Sequence, residues 1–370
     1  MHLKSLSLLN FKNYEQVDIP LSEKINCFVG ENGVGKTNIL DAVHYLALCK
    51  SNLNPIDTQN IKYDQEYSVV QGLFQRLDKE ENIYCGIKRQ KKKQFKRNRK
   101  EYKKLSEHIG LIPLVMISPA DGILINGGSE ERRKFMNGVI AQYSKAYLDN
   151  MIQYNRALSQ RNRLLKNFAS SQSFNQDMLE VWDEQLIRYG ESVYEERQRF
   201  VEEILPVFGS FYEHVSGNRE LVRLTYQAQL QHTGFREGLQ ASLQKDRILQ
   251  YTTFGVHKDD LGMSLGDHSL KKSGSQGQQK TFLVALKLAE FEFIRKLTGI
   301  PPILLLDDIF DKFDSNRVKQ IISLVAENHF GQIFITDTNE IRLQGILKEI
   351  PADHRVFRID QSGKVEQMNS

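Results

Sequence analysis

Eight consecutive residues, Gly30-Glu31-Asn32-Gly33-Val34-Gly35-Lys36-Thr37, fit the spacing GxxxxGK[ST]. Glycines so placed let successive backbone N–H groups curl around a phosphate. The Lys36 ammonium adds a point charge for the β and γ phosphates, and the Thr37 hydroxyl can ligate Mg2+. A second candidate lies far downstream, where the apolar run Ile303-Leu304-Leu305-Leu306 closes on Asp307 and Asp308. At the carboxyl edge of a parallel sheet, Asp307 would hold Mg2+ through water and Asp308 would orient or deprotonate an attacking water. Alone, such a strand end suits a helix cap or a surface pair equally well; next to a phosphate loop the catalytic reading leads. Ser275-Gln276-Gly277-Gln278 stands before a helix whose first N–H groups and positive dipole end would make a second anion site, with an ordinary N-cap as the alternative.

These groups need elements to hold them. Ile25 to Val29 predicts a strand before the glycine loop, and Ile39, Leu40, Val43 and Leu46 fall on one face of a helix after it. Residues 1 to 125 are short alternating segments, read as strands. From about Ser129 the apolar positions recur at helical spacing through Leu165; after the polar joint ASSQSFNQD a second run extends from Leu179 to Leu205. Later, a helix over Thr281 to Arg295, a strand over Ile303 to Leu306, a helix over Val318 to Val325 and a strand over Ile333 to Thr336 give the order of a parallel sheet. The expected fold is α/β: mixed sheets flanked by helices, built from residues 1–128 and 250–370, with an inserted α-helical lobe at 129–249.

Composition narrows the classes. With 40% apolar residues among 370 the chain can bury a core, and 24 Gly plus 8 Pro exclude a low-complexity chain. The net charge is +4, from 50 basic and 46 acidic residues, yet it is uneven. Lys88 to Lys104, KRQKKKQFKRNRKEYKK, holds eleven Lys or Arg against Glu101 alone; without it the balance is 39 to 45, a net of −6. That density points to a polyanion, and Lys91, Lys92, Lys93, Lys96 and Arg97 are candidate DNA contacts. Phe95 and Tyr102 interleave the run and Asn98 could turn it into a hairpin, giving a mobile basic finger with two rings able to stack on bases; the plainer reading is a solvated loop.

Three cysteines, Cys27, Cys49 and Cys85, fit neither a disulfide framework nor a metal pair, so a cytoplasmic setting is expected. No leader and no stretch of 18 apolar residues is recognised, so no membrane partner is expected. The nine histidines show no ligand spacing, leaving Mg2+ as the expected metal. His257, Asp259 and Asp260 could bear on the chemistry or form a structural polar cluster.

In order, the phosphate loop, the SGSQGQQKT segment at 273 to 281, LLLDD, FDKFD and FITDT resemble the ABC-type ATPase heads of the SMC and RecF group. Further segments resemble the RecF family over nearly the whole length. They are LxNFKNY at 8 to 14, GENGVGKTNILDAVHYL at 30 to 46, ISPADGILINGGSEERRKFMN at 117 to 137, YNRALSQRNRLLK at 154 to 166 and GVHKDDL at 255 to 261. The resemblance implies an ATP site extending to Lys12, Asn13 and Asn38. It also implies that Ser275, Gly277 and Gln278 reach the γ phosphate held by a second subunit, and that Asp314 is the D-loop acid. Two heads would then close around two ATP molecules and grip DNA at single-strand to duplex junctions. RecR, with RecO alongside, would be the partner in loading the RecA recombinase at gaps. Lys12, Ala120, Val256 and Lys258 stand where this family more often has other residues. FITDT carries no histidine and Asp308 stands in the place of Glu, so hydrolysis is expected to be weak and slow.

Two rivals share the phosphate loop. A transporter's nucleotide-binding subunit would want a histidine after the last strand and has no use for the basic run. A GTPase would want NKxD, which is missing.

Overall fold

The computed structural model describes residues 1–217, 221–308, 330–349 and 352–368. Contacts divide the chain into two compact units, Met1–Asp121 with Leu286–Ser370, and Gly122–Ala285.

In the first unit the strand Ile25–Val29 is buried at all five positions, as suits a strand covered on both faces. It lies between His354–Ile359 and Ile333–Asp337, both parallel to it. Beyond Ile333–Asp337 follow Ile303–Leu306 and Leu114–Ile117, also parallel, and Val365–Gln367 closes the other edge as an antiparallel hairpin partner. Phe28 stacks on Phe334 and Phe357, tying the three central strands together. The loop-bearing strand and the Asp307-bearing strand therefore end on the same edge with one strand between them. The helix Lys36–Leu48 buries Ile39, Leu40, Val43 and Leu46 in the core.

A second, antiparallel sheet in this unit runs Tyr14–Pro20, His2–Phe11, Tyr67–Arg76, Lys79–Lys88, Gln94–Arg97, Lys100–Glu101. Its strands alternate as period two requires: Ile83, Cys85 and Ile87 are buried, while Asn82, Tyr84 and Gly86 between them face outward. One hydrophobic core draws on both sheets and the helix.

The second unit holds the helices Ser129–Tyr143, Lys145–Ser171, Gln176–Ser216 and Phe235–Leu249. It also holds a three-stranded antiparallel sheet, His268–Ser269, Asp260–Leu265, Val222–Gln227. Val222–Gln227 interrupts the expected helical stretch as a strand, with Leu224 and Tyr226 buried at alternate positions. Its pairing with Asp260–Leu265 holds the segment after residue 249 in this unit. The expected joints at 128/129 and 249/250 thus differ from the unit boundaries at 121/122 and 285/286, the latter inside the helix Gln276–Thr298. The helix expected over Val318 to Val325 lies outside the described residues. Among the described residues no helix is long and apolar enough to cross a membrane.

Candidate functional site

The glycine loop stands where strand meets helix. Gly33 and Gly35 take φ of +84° and +109°, which L side chains rarely adopt. A Cβ on Gly30 would lie 2.4 Å from the Ile359 carbonyl oxygen, so the loop turns against the neighbouring strand's backbone. Lys36 Nζ donates to the carbonyls of Gly30 at 2.8 Å and Glu31 at 2.7 Å, curling back over the loop.

Asn13 braces the loop from the first hairpin: its Nδ2 donates to the Val34 carbonyl at 2.9 Å and its Oδ1 accepts from Asn38 Nδ2 at 2.7 Å. The Tyr14 hydroxyl donates to the Gly35 carbonyl at 3.0 Å. Lys12 does something other than face a ligand here. Its ammonium is buried in an ion pair with Asp41 at 2.5 Å, and Asp41 also accepts from the Ser51 hydroxyl and the Asn52 N–H, each at 2.6 Å. Glu31 accepts from Gln361 Nε2 at 2.9 Å.

The acidic strand end reaches the loop. Asp307, buried, accepts from the Thr37 hydroxyl at 2.9 Å and from the Thr336 hydroxyl at 2.8 Å, both at Oδ1. Burial pushes its carboxyl above the usual range, partly offset by the two hydroxyls and Lys36. Asp308 has φ of +49°, and its N–H donates to the Thr336 hydroxyl at 2.9 Å. A non-glycine residue in that region is strained, the kind of outlier that clusters at functional sites. Thr336 is the residue sequence reasoning missed; its signal was the threonine near the end of the FITDT strand. Asp314 lies outside the described residues.

In the second unit, Ser275 and Gln278 cap their helix reciprocally: Gln278 N–H donates to Ser275 Oγ at 3.2 Å and Ser275 N–H to Gln278 Oε1 at 2.7 Å. This is the capping-box arrangement. Ser275 and Gly277 are exposed.

The basic run is a folded sheet edge, which corrects the mobile finger. Asn98 and Arg99 sit at φ of +49° and +69°, turning Gln94–Arg97 into Lys100–Glu101, as two-residue hairpin loops favour. The hairpin agrees with the turn expected at Asn98; the orientation of its rings does not agree with stacking on bases. Phe95 is buried against His108 and Tyr102, because it falls on the inner face of the sheet, so neither ring is presented for bases. Lys93 is tied to Asp57 at 3.0 Å and to the Cys49 carbonyl at 2.7 Å. Arg97 grips Glu81 and draws that carboxyl below its usual range. Lys96 lies over the Tyr84 ring, while Lys91 and Lys92 are exposed.

His257, Asp259 and Asp260 form part of a structural network in the second unit. His257 Nε2–H donates to the Thr252 carbonyl at 2.9 Å and Nδ1 accepts from the Tyr154 hydroxyl at 2.7 Å. Asp259 pairs with buried Arg197 at 2.8 Å, and Asp260 takes both arms of Arg132 at 2.6 and 2.8 Å. Among the described residues no group of three or more His, Cys, Asp or Glu could hold a metal ion.

The model of the RecF/RecN/SMC N-terminal domain matches residues 2–352. The DNA replication and repair protein RecF of Bacteroides fragilis is 53% identical over 369 residues, covering 100% of this chain and 99% of its own. That of Flavobacterium johnsoniae is 48% identical over 359 residues, covering 97% and 100%. Among solved structures, the recombination mediator protein RecF with ATP in the RecFOR pathway aligns with a TM-score of 0.90 at 30% identity, covering 100% of this chain and 98% of its own. An SMC head bound to the C-terminal winged-helix domain of ScpA aligns with a TM-score of 0.59 at 15% identity, a likeness of fold alone, covering 100% and 98%.

Proposed function

Because the chain belongs to the RecF family of RecF/RecN/SMC N-terminal domain proteins and has their ABC-type ATPase head fold, we propose that it is an ATP-operated DNA-binding switch of replication and recombinational gap repair. Two copies pair head to head. Each glycine loop holds one ATP, and the helix tip at Ser275, Gly277 and Gln278 of a second copy seals it. Closure grips DNA at a single-strand to duplex junction; hydrolysis reopens the pair. RecR, with RecO alongside, is the protein partner of the cycle, which supports RecA loading.

The observation that carries this reading is the convergence of Thr37, Asp307 and Thr336 under the glycine loop. A hydroxyl and a carboxylate already in contact there are the oxygen donors a hard cation takes, so the residues fit Mg2+. When bound, Mg2+ neutralises charge on the β and γ phosphate oxygens. The chain's own residues do the rest. Lys36 exchanges the carbonyls of Gly30 and Glu31 for phosphate oxygens, the loop N–H groups take the β phosphate, and Asp308 orients the attacking water. An aspartate in that place, with no histidine beside it, suits slow, DNA-stimulated turnover of ATP to ADP and phosphate.

Retardation of a gapped duplex by the purified protein tests the switch. It should require ATP and be lost in Lys36→Met; equal retardation with and without ATP would overturn it.

A further inference from the structure

The outer face of the antiparallel sheet carries a feature that the ATP site does not use. A cleft of about 500 Å³ is lined by Gln71, Asn82, Tyr84, Lys96, Asn98 and Arg99. All six come from three adjacent strands and the hairpin turn of the basic run. No carboxylate lines it, and among the described residues neither Lys96 nor Arg99 has an ion-pair partner.

We propose that this cleft is a stacking site for an unpaired base of a DNA strand, with Tyr84 as the platform and Lys96 and Arg99 as phosphate contacts. The proposal rests on the DNA-switch reading and deepens it.

Three observations support it. First, a Cβ on Gly86 would meet the Tyr84 hydroxyl at 2.8 Å and Cε1 at 3.0 Å, so the ring is folded down along its strand over the glycine rather than standing off the sheet. Aromatic rings laid on a sheet surface are how several single-strand readers stack bases. Second, Lys96 Nζ lies over the same ring, 5.3 Å from its centroid, so a cation rests on the platform's open face and swings to the phosphate of the nucleotide whose base takes its place. Third, the amides suit base edges: Gln71 Nε2 donates to Asn82 Oδ1 at 3.2 Å, and each amide keeps further donor or acceptor capacity. Lys88, Arg89, Lys91, Lys92 and Lys100 are exposed along the same run and give the backbone a cationic track. A duplex hides its base faces in the stack, so a ring recessed among amides in a cleft serves only an unstacked base.

The test uses the full chain with ATP and two probes, a duplex with a single-stranded overhang carrying 5-iododeoxyuridine and a blunt duplex of equal length. Photocrosslinking of the overhang should map to the peptide containing Tyr84. Tyr84→Ala should weaken overhang binding about tenfold and Tyr84→Phe less than about twofold, with blunt-duplex affinity unchanged in both. Lys96→Gln with Arg99→Gln should lower the salt slope for the overhang by about 1.4. Should Tyr84→Ala fail to fold, the crosslink on unaltered protein and the double variant decide. Overhang binding by Tyr84→Ala equal to wild type, equal losses on both probes, or a crosslink elsewhere would overturn the stacking site while leaving the switch standing. Failure of the unaltered protein to bind either DNA with ATP would sink the switch and this site together.

Discussion

The Thr37 hydroxyl donates to Asp307 Oδ1 at 2.9 Å across 270 residues of chain. The bond joins the end of the glycine loop to the end of a strand two places away in the sheet, and Thr336, on the strand between them, donates to the same oxygen. A buried carboxylate is thus held against its own desolvation by two hydroxyls. Such an arrangement stabilises the fold poorly and suits a charge kept for a ligand.

That tension predicts opposite effects of Asp307→Asn on stability and activity. Burial raises the Asp307 carboxyl above its ordinary value, so at neutral pH the ionised form opposes folding, and the neutral amide should raise the melting temperature. ATP hydrolysis should fall at least about a hundredfold with loss of the metal-ligating charge. Calorimetry and a phosphate-release assay check the pair; a lowered melting temperature would contradict the burial argument.

Gly35 predicts a local break. At φ +109° an alanine is strained, and its Cβ would lie 2.3 Å from Asn13 Nδ2. Gly35→Ala should cost about 1–3 kcal/mol and abolish nucleotide binding by displacing Asn13 from the Val34 carbonyl. Urea unfolding and a fluorescent ATP analogue read the two effects.

Buried histidines predict acid sensitivity. His108 donates from Nε2 to the Leu46 carbonyl at 2.7 Å and accepts the Tyr102 hydroxyl at Nδ1. Burial lowers both His108 and His257 to about 4 from an ordinary 6.5. Both are neutral in either state above pH 6.5, where their contribution to stability is complete. Between about 6.5 and 4 the unfolded chain takes up protons that the folded one refuses, so stability falls as pH drops. Urea midpoints from pH 7.5 to 5 should decline, and His257→Gln should flatten the decline.

Arg161, on the helical lobe, predicts a loss of stability. It is fully buried and tied to Asp183 at 2.5 Å, Asp246 at 2.6 Å and Thr252 at 3.0 Å. Arg161→Ala should destabilise by about 3–5 kcal/mol by stranding buried Asp246. DNA affinity of whatever remains folded should be unchanged.

The sequence made the chemistry of the strand–loop–helix at 25–48 and the strand at 303–306 legible because each has a local signature: a glycine pattern, an unbroken apolar run, a helical stripe. The order of elements also exposed the parallel pairing of Ile303–Leu306 with Ile333–Asp337. What stayed hidden depended on partners distant in sequence. Asn13 as the loop's brace and Thr336 as the second donor to Asp307 exist only once the strands assemble. Phe95 read as a free ring in a cationic run, yet the strand's alternation turned it inward and left Tyr84 and Lys96 outside. Val222–Gln227 was masked by the helices around it, since six alternating residues give a weak signal until Asp260–Leu265 pairs with them.

The central claim, ATP shared between two copies, is tested most directly by light-scattering mass measurement of the full chain with and without ATP and DNA, alongside Lys36→Met and Ser275→Arg. A dimer with ATP that is lost in both variants, with nucleotide binding kept only by Ser275→Arg, is the predicted result. A monomer at every ATP concentration with DNA present would contradict it.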